Sequence, residues 1–378
     1  MLGCPPPYRG NNTRVAGLLR EMRALGYVVH FAGVGLSEEE KAGTLPWVDQ
    51  WVANFVQPPP APLSLWGLLK RKTRSLFYRL HWVEDKLDGL FYAPWLDEAR
   101  ELQQRFHYPR VLISYVHHSK FLQAFPDSCL KLIDTHDVFT NRRHRLRAAG
   151  VATYWRSYSA KDERRGLQRA QHIIAIQEQE AAYLRRLTGS ACRVFTVGHF
   201  AKLLEQPLPP ARILRLGCIG SRNGANVHGW QWFVRDVWPL VQKRVAGVEI
   251  WVAGTLCEKC TPAPGVRLLG QVPSLADFYR DCPVFINPVR TGTGLKIKTI
   301  ESLMHGRPVV TTRVGAEGVE SFLGHGLFIC DSAEEFANSI VNLLSDLPLA
   351  QRLGEESLLR ARSYVLENRQ VLAEALAK

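Results

Sequence analysis

The chain alternates short apolar runs with helical stretches, and it does so twice. Runs of strand length occur at "YVVHFAG", "VDQWVANFV", "RVLISYV" (110–116), "CLKLIDTHDV" (129–138), "QHIIAIQ" (171–177) and "CRVFTVG" (192–198). Helical patterns lie between most of them, beginning with Val15, Leu18, Leu19, Met22 and Leu25, which Gly26 stops. The segment "HFAKLLEQPLPPARI" (199–213) carries three prolines and reads as a linker. The alternation then restarts. Its strands are "LRLGCIG", "VEIWVAG", "VRLLG", "PVFINPV" and "RPVVTT". Its helices are "ANVHGWQWFVRDVWPLVQKRV", "SLADFYRDC" with Ser274 as N-cap, "LKIKTIESLMHG" ended by Gly306, and two closing helices. Strands separated by helices must cross over, which gives parallel sheets. The expectation is therefore an α/β chain of two tandem Rossmann-like, doubly wound domains.

The length of 378 residues suits two such domains. The start, "MLGCPPPYRGNN", leaves only Met1–Cys4 for a first strand, so the chain begins late or that strand is short. The formal net charge is +13 and the pI about 9.5. That balance fits an anionic partner: a nucleotide, a nucleic acid or an anionic membrane. The eight cysteines, at 4, 129, 192, 218, 257, 260, 282 and 330, are scattered, and several lie in apolar runs. With no signal peptide and no run near the roughly 20 apolar residues of a membrane span, they read as reduced cytosolic thiols.

The stretch "PVRTGTGLKIKTIESLMHGRPVVTT" (288–312) carries the chemistry. A strand ends near Asn287, and ligands of open α/β sheets bind at the carboxyl ends of strands. Thr291-Gly292-Thr293-Gly294-Leu295 follows there, its glycines letting backbone N–H groups approach an anion. A helix expected to start near Leu295 adds its positive dipole end, and Lys296 and Lys298 add full charges. Glu301, about two turns into that helix, would repel a phosphate unless it accepts hydrogen bonds, and sugar hydroxyls are the natural donors. The loop thus suggests a nucleoside diphosphate with Glu301 on a sugar. A solvated turn with a Lys–Glu pair on the helix is the alternative.

From Phe285 to Gly318 the sequence resembles the donor-binding segment of retaining glycosyltransferases of the GT-B fold, of the glycosyltransferase family 4 type. The resemblance continues in "LGCIGSRNGANVHGWQWFVRDVWPLVQKRVAGVEIWVAG", "KLIDTHDVFTNRR" and "AQHIIAIQEQEAAYL", and residues 40–105 are its weakest part. It implies that Glu301, the second glutamate of the family's paired motif, holds the nucleotide ribose. The first glutamate's position is Thr293, whose hydroxyl or the loop amides would then meet the donor sugar. In "GSRNGANVHG", Arg222 matches the arginine that holds the pyrophosphate, and Asn226 joins the donor set. No lysine follows Arg222, and Lys296 supplies the missing charge. His136, in "DTHDVF", matches a histidine beside the anomeric carbon. Asp137 next to it orients the imidazole or binds acceptor. Gly10 and Asn11 resemble the loop that approaches donor and acceptor; an ordinary tight turn explains them equally well.

The resemblance implies domains at 1–203 (acceptor), 204–360 (nucleotide sugar) and 361–378, a helix crossing back to the first domain. It implies a cleft that closes on the donor and transfer with retention. It implies no metal and no cofactor beyond the UDP- or GDP-sugar co-substrate, and a departing diphosphate that takes the acceptor's proton. The expected role is polysaccharide, lipid-linked glycan or glycoside synthesis in the cytoplasm. "LLKRKTRSLFYRLHW" (68–82) has five basic and no acidic residues interleaved with apolar ones. It suits either peripheral contact with the inner membrane face or a packed amphipathic helix with solvated charges. "NRRHRLR" (141–147), with Arg142, attracts an anionic acceptor or is a solvated face. "CEKC" (257–260) is a single pair without the other two ligands of a zinc knuckle, and reads as incidental thiols. Trp230, Trp232, Trp238 and Trp251 read as mostly core. No Ser-His-Asp order, HExxH, P-loop or GxGxxG after the first strand is present. Two other functions fit parts of the pattern. An epimerase or hydrolase would turn over donor without acceptor. A basic membrane- or nucleic-acid-binding module would bind polyanions and no nucleotide sugar; the loop together with Glu301 argues against that, and no nucleic acid is expected.

Overall fold

The computed structural model describes residues 10–56, 84–89, 91–148, 156–209 and 213–377. The expected first strand and the basic segment 68–82 lie outside them. By compactness the chain forms two units. The first is built from Met22–Thr196 and the last residues from Leu372; the second is built from Val197–Val371 together with helix residues up to Glu21.

In chain order the first half runs α1 (Gly10–Ala24), β1 (His30–Val34), α2 (Glu38–Thr44), β2 (Gln50–Phe55), α3 (Trp95–Phe106) and β3 (Arg110–Ser114). It continues with β4 (Leu130–Asp134), α4 (Arg142–Ala148), α5 (Ala160–Leu167), β5 (His172–Ala175), α6 (Glu178–Thr188) and β6 (Arg193–Thr196). Strands β3-β4-β5-β6 form one parallel sheet, and β1 and β2 pair in parallel beside each other. All four residues of β5 are buried, as expected of a strand covered on both faces. Tyr115, Ile133, Phe139, Tyr158, Leu167 and Ile173 make the core around it. A smaller cluster joins Phe55, Trp95 and Phe121.

The second half runs β7 (Arg215–Ile219), α7 (Gly224–Trp232), α8 (Trp238–Arg244), β8 (Glu249–Ala253), β9 (Val266–Gly270), α9 (Leu275–Asp281), β10 (Val284–Asn287) and α10 (Ile297–Met304). It ends with β11 (Val309–Thr311), β12 (Leu327–Ile329), α11 (Ala333–Ser345) and α12 (Leu347–Leu376). The sheet order is β12-β11-β10-β7-β8-β9, all parallel. Counted from β7 this is the doubly wound order 3-2-1-4-5-6, whose direction reverses between β7 and β10. Trp230, Phe233, Trp238, Ile250, Val284 and Phe336 pack its core. The expected cap Ser274 accepts from Asp277 N, and Ser332 with Glu335 adds a capping box at the start of α11. Gly306, at φ 65, turns the chain out of α10.

Two local expectations change, and one short strand is added to those expected. The long helix after β7 is broken by a π turn, Phe233–Val237, just before Pro239, whose ring cannot sit in an uninterrupted α ladder. The three-residue β12 is too short to show a period in "GLFICD". Gly10 and Asn11 are the first two residues of α1 itself rather than a loop feeding it. Burial of Val15, Leu18, Leu19 and Met22 stabilises that helix, and its residues up to Glu21 group with the second unit.

Candidate functional site

The strand order places the reversal point between the carboxyl ends of β7 and β10. From β7 the chain turns through Gly220–Asn223 into α7, whose N-cap Asn223 accepts from Asn226 N at 2.8 Å. From β10 it runs through 288–296 into α10. Gly292 (φ 129) and Gly294 (φ 77) occupy backbone conformations that a side chain would strain, so this loop requires glycine at both positions. Asn287, 1% exposed at the end of β10, donates from Nδ2 to Thr299 Oγ1 at 2.8 Å. Its Oδ1 and the buried Thr291 Oγ1 have no hydrogen-bond partner among the described residues.

The two loops are joined by a lysine. Lys298 Nζ donates to Asn226 Oδ1 at 2.6 Å, while Asn226 Nδ2 donates to Ser221 O at 2.9 Å. Burial pulls the Lys298 ammonium down from the ordinary lysine value to about 8, and the Lys296 charge adds to the fall. Lys296, expected to supply charge to the loop, is engaged within it. Its Nζ donates to Gly294 O at 2.7 Å and Thr293 O at 3.3 Å, and pairs with Glu317 Oε2 at 3.1 Å. The positive loop thus faces two carboxylates, not Glu301 alone. Helix α10 starts at Ile297, two residues after the expected start, with Lys296 as a non-helical N-cap, so Glu301 is its fifth residue.

Glu301 lies against His199. The imidazole Nε2 is 3.2 Å from Glu301 Oε1; His199 is 0% exposed and Glu301 14%. The segment read as a linker is therefore packed from its start, with His199 and Phe200 both buried. Arg222 lies on the loop after β7, 65% exposed, and pairs with Glu258 Oε2 at 2.7 Å. An exposed pair of this kind holds weakly and can exchange partners. Glu258, Glu317 and His199 went unread in the sequence. Glu317 sits in "VGAEGV", inside the stretch that carries the resemblance, and was open to notice; nothing local to His199 points to Glu301.

His136, Asp137 and Arg142 lie in the first unit, at the carboxyl end of β4. His136 (φ 58) and Tyr115 (φ 68), after the ends of β4 and β3, both hold a strained left-handed backbone. Their rings stack at 4.1 Å, and His117 stacks on the same tyrosine at 5.0 Å. His136 Nε2 is 2.9 Å from Asp134 Oδ2, and both residues are buried. The carboxylate beside the imidazole is therefore Asp134. Asp137 faces Arg142 at 3.6 Å. Burial drives His118 down to about 3 and lowers His117, with neighbouring charges adding to the fall, so both rings stay neutral at ordinary pH. Gly10 and Asn11 share the second unit with the donor loops, and Arg142 does not.

Among the described residues no group of three or more His, Cys, Asp or Glu side chains could hold a metal ion. The Cys257 and Cys260 thiols donate to Val252 O and Leu256 O. No helix is long and apolar enough to cross a membrane among those residues.

Residues 214–346 match the family described as Glycosyl transferases group 1. An uncharacterised 44.6 kDa protein in the cps region of Klebsiella pneumoniae is 25% identical over 155 residues, a match spanning 38% of this chain and 39% of that protein's length. The fold is shared with sucrose-phosphate synthase from Thermosynechococcus elongatus, at TM-score 0.66 and 16% identity, covering 98% of this chain and 96% of that one. HepE of Anabaena, solved with UDP and glucose, gives TM-score 0.66 and 13% identity over 98% of this chain and 97% of HepE. TarM gives TM-score 0.57 and 15% identity over 73% of this chain, which spans 58% of TarM's length.

Proposed function

We propose that this chain, which carries a glycosyl transferases group 1 domain at 214–346 on the GT-B fold of sugar transferases, moves a sugar from a nucleoside diphosphate sugar to an acceptor. One observation carries the reading. At the reversal point of the second sheet, two glycines with positive φ, two loops and the Lys298 ammonium converge on one corner. That set of N–H groups and charge suits a diphosphate, and it would stabilise the charge that develops on the leaving group. HepE, of the same fold, was solved with UDP and with glucose, which supports a nucleotide donor here. The place of the Klebsiella relative in a cps region supports polysaccharide or related glycan assembly. We assign Glu301 to the ribose and His136, with Asp134 behind its ring, to turnover rather than donor binding. Transfer with retention, and a UDP- or GDP-linked sugar, complete the proposal.

A melting screen with uridine, guanosine and thymidine diphosphate sugars tests it, since a bound ligand raises the melting temperature by mass action. At least one should shift the transition, and silence with all three would end the reading. Glu301→Ala should weaken binding of the selected nucleoside diphosphate by about tenfold, the effect of losing hydrogen bonds to a charged acceptor. Unchanged affinity by calorimetry would remove the ribose assignment. His136→Ala should lower kcat by about tenfold or more while leaving donor affinity within about twofold, because misplaced reacting groups cost rate rather than binding. Full turnover would make the ring structural.

A further inference from the structure

We propose that His199 is a positioning residue that makes Glu301 a reader of the nucleotide's sugar; this rests on the donor site proposed above. The two residues are 102 positions apart, yet Nε2 of the imidazole lies 3.2 Å from Glu301 Oε1. A hydrogen bond there requires the proton on Nε2. The buried Nδ1 has no partner among the described residues, so the ring's side-chain contact is with Glu301. His199 therefore fixes one oxygen of the carboxylate. The side chain is 14% exposed, and its second oxygen remains as the acceptor for a hydroxyl.

His199 is itself held from several sides. Its backbone N–H donates to Tyr364 Oη at 3.2 Å. The Gly198 N–H donates to Asn368 Oδ1. Arg14, 1% exposed, donates from Nη1 to Val197 O at 3.1 Å and Gly198 O at 2.8 Å. Side chains from α1 and α12 thus clamp the backbone of residues 197–199, and the His199 imidazole, fully enclosed, meets solvent nowhere. A buried histidine set this firmly against a part-open carboxylate holds one rotamer of a flexible glutamate before ligand arrives. That removes an ordering cost from binding. The role is confined to Glu301. The diphosphate corner, with Lys298 and Asn226, is built from other contacts.

The test separates sugar reading from phosphate holding by calorimetry with two probes. One is inorganic pyrophosphate; the other is UDP, or whichever of GDP and dTDP the screen above selects. Methionine and glutamine have similar length, and only glutamine keeps an N–H for Glu301. His199→Met should weaken the nucleoside diphosphate by about tenfold and leave pyrophosphate within about twofold, and His199→Gln should restore most of the loss. Equal loss of both probes, no loss of either, or no difference between Met and Gln would overturn the assignment. If neither variant shows a cooperative melt, His199 is a residue of the fold and the assignment also falls. Wild-type protein that binds neither probe would sink the donor site itself, and this inference with it.

Discussion

Replacing Lys298 with methionine should weaken pyrophosphate binding by about a hundredfold and flatten its dependence on pH. The ammonium is the link between the two loops, through Asn226 Oδ1 at 2.6 Å. Removing it takes away a charge-assisted donor and leaves the Asn226 carbonyl without its partner, and losses of this kind run to roughly 1.5–3 kcal/mol. The pH dependence follows from the depressed pKa. Free protein holds Lys298 charged below about 8 and neutral above it, because burial opposes the charge. The unfolded chain keeps its proton until the ordinary lysine value of 10.5. Between those limits the unfolded state binds more protons, so stability rises with pH, and the cost of the buried charge is fully present below about 8. Binding runs the opposite way. A diphosphate favours the charged form, so above pH 8 it must bring a proton with it, and Kd should rise by up to about tenfold per pH unit. Calorimetry from pH 7 to 9.5 on wild type and variant measures both effects. A variant within threefold of wild type, or one that keeps the slope, would show that Lys298 does not face the anion.

The second large effect is on stability. Gly198→Ala should destabilise the second unit by about 3 kcal/mol, the upper range for forcing atoms into a packed site. An added Cβ would overlap the hydroxyl and ring edge of Tyr364, which is buried. The ring cannot swing aside without breaking its contact with the His199 N–H. Burial also raises the Tyr364 phenol to about 12, so it stays neutral and its hydroxyl stays in place across the working range. The melting transition should fall by about 10 °C. Tyr364→Phe in the same chain should recover part of that loss, since the nearest obstruction then becomes the ring carbon at 2.6 Å. An alanine variant that melts like wild type would mean that α12 does not press on this turn.

Much of the architecture was legible because it rests on local signals. The apolar runs are strands where both faces are covered, as in β5 and β10, and the cap expected at Ser274 is present. The loop after β10 was legible for the same reason: its glycines, lysines and Glu301 lie within one short stretch of chain. What escaped is what chain distance hides. His199 reaches Glu301 across 102 positions, Arg14 reaches Gly198 across 184, and Lys298 reaches Asn226 across 72. Asp134 lies beside the His136 imidazole at a residue with positive φ, and periodicity carries no trace of a single positive φ.

The corner that holds Glu301 draws on residues 14, 198, 199, 301, 364 and 368, a span that takes in nearly the whole polypeptide. During synthesis the glycine loop and Lys298 leave the ribosome well before Tyr364 and Asn368 do. The nascent second unit therefore lacks the contacts that hold Gly198 and His199 until the final helix emerges. A truncation that ends between residues 347 and 363 yields a protein that contains every residue of the matched region 214–346 and lacks the Tyr364 and Asn368 contacts to His199 and Gly198.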